Sequence, residues 1–122
     1  MTLPISKSRK WKVNKPANEI LELVKIELYR KNATIVQANS KRIEANLGSE
    51  TRTRMFGGAL VSEETLPVKI ILQMNESATE TDIDATIQDN LGAGSRIGMR
   101  SKYREYIHNL FNLLSAVLVA KN

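Results

Sequence analysis

The sequence contains no cysteine, which removes disulfides, thiolate metal ligands and cysteine nucleophiles together. Its one histidine, His108, leaves a His-based metal site or catalytic triad without its raw material. Long apolar runs are also missing. The longest, Leu110 to Ala120, is broken by Asn112 and Ser115 and is too short to span a bilayer. Met1 to Val13 carries Lys7, Arg9, Lys10 and Lys12 with no apolar core after them, so no secretion signal is read and a cytoplasmic location is the expectation. There is no internal repeat, low-complexity tract or interdomain linker.

What is present is an ordinary globular composition, 42% hydrophobic and 25% charged over 122 residues. That size fits one domain, 1–122, able to bury a core without staples. The net charge of +5 is unevenly placed. Residues 1–15 hold five basic residues and no acidic one, and residues 96–104 hold four and none. The remainder carries the other nine of eighteen basic residues and all thirteen acidic ones. Two positive blocks on a mildly acidic body form a patch if the fold brings them together.

From Met99 to Ala120, Tyr103, Tyr106, Ile107, Leu110, Phe111, Leu113, Leu114, Val117 and Leu118 recur at steps of three and four, the period of an amphipathic helix. A helix of that length spans roughly 33 Å, enough to cross a small domain. Ser8 to Asn14 reads as a strand with Trp11 and Val13 on one face. Pro16 opens a helix, in which Ile20, Leu21, Leu23, Val24, Ile26 and Leu28 make a broad apolar stripe that ends at Arg30, Lys31 and Asn32. The period then switches to two. Strands are expected at Thr34 to Ala38 and Lys41 to Leu47 around a turn at Asn39-Ser40, at Thr51 to Val61 with a bend at Gly57-Gly58, at Leu66 to Met74 and at Thr81 to Gln88. Asn75 to Glu80 is a polar hairpin connection. The order defines an α+β fold, β-α-β(4-5)-α: a curved antiparallel sheet of about six strands with the long C-terminal helix packed across its apolar face.

That order, with the motif Arg42-Ile43-Glu44-Ala45 to Gly48 and the glycine-rich turn Gly92, Gly94, Gly98 into a long helix, resembles small members of the helix-grip superfamily, the polyketide cyclase, START and Bet v 1 relatives. The topology is also similar to one repeat of the TATA-binding-protein-like fold. The helix-grip resemblance implies an apolar cavity between a curved sheet and the C-terminal helix, filled by a lipid, sterol or aromatic polyketide. The chain departs from the larger members in being short, with one helix where they have two after the first strand.

Candidate sites follow from both readings. Met55, Phe56, Met74, Met99, Tyr103, Tyr106, Phe111 and Leu114 are the residues expected to line an apolar pocket. Lys7, Arg9, Lys10, Lys12, Arg96, Arg100, Lys102 and Arg104 are the candidates for one anion-binding surface, whose partner is nucleic acid, acidic protein or anionic lipid. The polar sheet face weighs against nucleic acid: Phe56 is its one aromatic, and Asp82 and Asp84 repel phosphate. Cross-strand pairs of Arg54 with Glu44 and of Lys69 with Asp84 are expected there instead. Gly92 to Gly98 lacks the βαβ context of a dinucleotide fingerprint. His108, at the border of the buried stripe, is expected to be a hydrogen-bonded structural histidine, and Glu63-Glu64 an exposed loop pair. No acid/base pair, metal site or cofactor site is read, so the function expected is non-enzymatic binding of an apolar small molecule or lipid, with the anionic-partner module as the alternative. Leu113 and Val119 are candidates for a homodimer seam.

Overall fold

A computed structural model of the chain describes residues 5–50, 52–53, 61–91 and 99–119. Five strands form one open antiparallel sheet in the order β1-β5-β4-β3-β2: β1 is Ser6–Val13, β2 Thr34–Ala38, β3 Arg42–Leu47, β4 Val68–Ser77 and β5 Glu80–Asp89. Helix α1, Ala17–Arg30, carries the chain from one edge of the sheet to the other, and helix α2, Arg100–Leu118, closes it. A short 3-10 turn, Glu63–Thr65, precedes β4. This is the α+β order expected, with five strands among the described residues.

Strict alternation makes the sheet two-faced. Ile43, Ala45 and Leu47 of β3, Val68, Ile70, Leu72 and Met74 of β4, and Ile83, Ala85 and Ile87 of β5 are all buried on one side. Both helices cover that side. α1 packs over the β2 and β4 half with Ala17, Ile20, Val24 and Leu28, and α2 lies over β1 and β5 and touches α1. Seven residues of α2, Tyr103 to Leu118, reach the core at helical spacing. Ile26, expected in the α1 stripe, points to solvent with half its surface exposed, since it falls opposite the 3-4-4 spacing of the buried four. No helix among the described residues is long and apolar enough to cross a membrane.

Long-range hydrogen bonds pin the elements. Asp89 accepts the Ile5 N–H at 2.6 Å and returns its own N–H to the Ile5 carbonyl at 2.8 Å, so a buried carboxylate locks the start of β1 to the end of β5. The Trp11 indole donates to Ser115 Oγ at 3.3 Å, and the Tyr103 hydroxyl to the buried Pro67 carbonyl at 3.0 Å, tying α2 to β1 and to the entry of β4. Pro16 offers α1 no side-chain cap; Glu76 Oε1 of β4 instead accepts the Ala17 N–H at 2.6 Å. At the β2–β3 turn, Asn39 Oδ1 accepts from the N–H groups of Lys41 and Arg42 at 2.8 and 2.9 Å, the turn chemistry expected there.

Three local expectations change. Residues 52 and 53 are helical, with Ser49 Oγ accepting the Arg52 N–H at 3.1 Å as a cap does, so they do not open the strand expected from Thr51 to Val61. Residues 54–60, with Arg54, Met55, Phe56 and the Gly57-Gly58 bend, lie outside the described residues, as do Gly92, Gly94, Arg96 and Gly98. The Asn75 to Glu80 connection is tighter than expected: β4 and β5 run to Ser77 and Glu80, leaving a two-residue turn at Ala78-Thr79 with Ala78 at φ +31°. Finally, register places Lys69 opposite Asn46 and Gln88, and Asp84 opposite Lys10 and Gln73, so Lys69 and Asp84 are not partners. Glu44 pairs along its own strand with Arg42 at 3.0 Å.

Candidate anion-binding groove

Edge strand β1 carries the first basic block, and its pleat divides that block in two. Ile5, Lys7, Arg9, Trp11 and Val13 share the face turned toward α2, whereas Lys10 and Lys12 share the outer face with Asp84 and Asp82, which stand directly opposite them on β5. The outer pair is thus matched by acidic residues. A depression of about 550 Å³ on this outer face has the same mixed lining, Lys10, Lys12, Asp82 and Asp84 with Gln73 and Asn75.

The inner pair meets a different neighbour. Lys7 and Arg9 look across to α2, where Arg104 and His108 lie one turn apart, and the four line a groove of about 290 Å³ with Ile107 and Phe111. Among the described residues, no carboxylate forms an ion pair with Lys7, Arg9 or Arg104. Arg9 is held in place by ring contacts: its guanidinium carbon lies 5.0 Å from the Phe111 ring centroid and 5.9 Å from that of Trp11. The two rings pack tilted at 6.2 Å. A guanidinium laid on rings keeps its charge and loses its freedom, which favours binding by a preset cation.

The groove therefore joins one end of the chain to the other. Of the eight basic candidates, Lys7, Arg9 and Arg104 converge; Lys10 and Lys12 lie across the sheet, which corrects the expectation of a single surface. Lys102 is half-buried and donates to the Val61 carbonyl, so its ammonium is engaged in the loop before β4. Arg100 stands one turn above Arg104. His108, expected as a structural histidine at the border of the buried stripe, is exposed next to the buried Ile107 and lines the groove; its i, i+4 relation to Arg104 is the sequence signal that places it there.

The apolar candidates fall in the core. Met74, Met99, Tyr103, Tyr106, Phe111 and Leu114 are each no more than 7% exposed and belong to one cluster. Burial pushes the Tyr106 phenol up to about 12, and the negative field of Glu64 and Glu63 adds to the shift. Glu63 and Glu64 lie in the 3-10 turn that packs against α2, Glu64 exposed as expected and Glu63 half-buried. Groups of three or more metal-ligating side chains are absent among the described residues.

Compared with known proteins, the chain matches no family model and no curated protein. The groove's own chemistry therefore carries the functional reading.

Proposed function

We propose that this protein is a binding module for an anionic partner, which it holds in the groove between β1 and α2 without covalent chemistry. The observation that carries the reading is the convergence of Lys7, Arg9 and Arg104, drawn from opposite ends of the chain, with no carboxylate paired to them among the described residues. Three like charges in one recess repel one another, and an anion relieves that repulsion. Tyr103, Phe111 and Leu114, which the helix-grip resemblance would set around an apolar guest, are buried in one cluster with the rest of the core. That resemblance supports the apolar-ligand reading through element order alone.

Heparin chromatography tests the proposal. The protein is expected to be retained at low salt and to elute with modest salt, because clustered contacts to anionic groups are strongly salt dependent. Arg104→Glu is expected to elute clearly earlier. Equal elution of the variant and the parent would remove the groove from the account. A native mass spectrum of gently purified protein tests the other reading, for which a bound mass that disappears on denaturation is the required result.

A further inference from the structure

We infer that the groove takes the phosphodiester backbone of a single-stranded nucleic acid, independent of base sequence; this rests on the anionic-partner reading and names its ligand. The cations stand on both walls of the recess, Lys7 and Arg9 on β1 and Arg104 on α2. Along β1, Lys7 and Arg9 are two residues apart on one face, about 7 Å along the strand. Across the recess, α2 contributes the Arg104 guanidinium, with the His108 side chain one turn on, about 6 Å along the helix. Cations on both walls of a recess, two of them spaced along one strand, suit a ligand whose negative charge repeats along its length, whereas a compact oxyanion would engage one end of them. The recess also selects among polyanions. Lying between a strand and a helix, it suits a flexible single strand that can follow its walls better than a rigid duplex. An amphipathic membrane anchor presents apolar side chains free to insert beside its cations, and Ile107 and Phe111 are buried here. Bases find no bare ring, since Arg9 covers Phe111, but the outer plane of that guanidinium is itself a stacking platform that accepts any base.

Lys10 and Lys12 supply an internal control, because they lie on the opposite face with Asp84 and Asp82. The double variants Lys7→Gln/Arg104→Gln and Lys10→Gln/Lys12→Gln have the same net charge and differ only in which face loses it. Fluorescence anisotropy with fluorescein-labelled oligo-dT and oligo-dA of twelve nucleotides, over a salt series, compares them. For the parent, log affinity is expected to fall against log salt with a slope of about −2, the value for three neutralised phosphates of a single strand, with dT and dA within about threefold of each other. The groove variant is expected to lose roughly tenfold or more in affinity and to bring the slope to about −0.7. The outer-face variant is expected to stay within about twofold of the parent. Thermal melts of both variants separate lost binding from lost fold. Equal weakening by the two variants would overturn the groove assignment together with the reading beneath it. Oligonucleotide binding no tighter than that of thymidine 5′-monophosphate, with the groove variant still impaired for both, would overturn the single-strand inference and leave the anion-binding groove standing.

Discussion

Tyr106 shows how a single buried group ties stability to pH. Its phenol is 3% exposed and its pKa is raised from 10.0 to about 12, first by burial and then by Glu64 and Glu63. The folded state therefore favours the protonated form more than the unfolded chain does. That contribution is fully present below pH 10 and is lost as pH climbs through about 12. In urea unfolding at a series of alkaline pH values, the parent is expected to lose stability relative to Tyr106→Phe across that window, and parallel curves would show that the phenol is not the titrating group. Gly48 is a second single-residue constraint. Its φ is +81°, and a Cβ built there would lie 2.2 Å from the Leu66 carbonyl oxygen, a backbone atom that cannot rotate away. Gly48→Ala is expected to destabilise the fold by about 3 kcal/mol, read as a lowered urea midpoint. A midpoint unchanged from the parent would mean that the loop before β4 yields freely.

At the level of elements, the start of α1 depends on a side chain from elsewhere in the chain. The Ala17 N–H donates to Glu76 Oε1 at 2.6 Å, placing a carboxylate at the positive end of the helix in place of the cap that Pro16 lacks. Glu76→Ala is expected to cost about 1 kcal/mol, and Glu76→Gln, which keeps the acceptor, less; equal losses would assign the effect to charge rather than to the hydrogen bond. This contact illustrates what local pattern conveys and what it does not. α1, the Asn39 turn and the in-out alternation of β3, β4 and β5 were legible because each depends on residues within a few positions. The Glu76 cap spans 59 positions and has no local signature. The register that separates Lys69 from Asp84 is fixed by the tight Ala78-Thr79 turn, and that turn is written in residues with weak turn preference. The parity of β1 was available: Trp11 and Val13 on one face already assign Arg9 and Lys7 to it and Lys10 and Lys12 to the other. β1 is also an edge strand, and inward-facing charges on an edge discourage pairing with another sheet. Lys7 and Arg9 serve that purpose at the same positions that make the groove.

For the molecule as a whole, the two charge blocks were visible along the chain, but their meeting place was not, because it depends on the first strand lying beside the last and on α2 crossing above both. The order β1-β5-β4-β3-β2 makes that juxtaposition, and Asp89 and the Trp11–Ser115 hydrogen bond hold it. Met74, Met99, Tyr103, Tyr106, Phe111 and Leu114 were legible as apolar positions of elements. Whether such positions enclose a guest or fill a core is decided by packing between layers, which no periodicity encodes. The helix period put His108 at the border of the buried stripe, but the strand it faces across the groove is set by the sheet order and not by that period.

The pairing of β1 with β5 also sets a schedule for the newborn chain. Ser6 waits for Gln88, 82 positions later, before its ladder can close. At the usual pace of translation, about 5–20 residues per second, that is an interval of roughly 4–16 s. Through that interval the β2–β5 meander can assemble as each strand leaves the ribosome, while β1, with its row of lysines and arginine, remains in solvent. The residues that form one wall of the groove are thus synthesised before the rest of the sheet and are among the last to find their place in it.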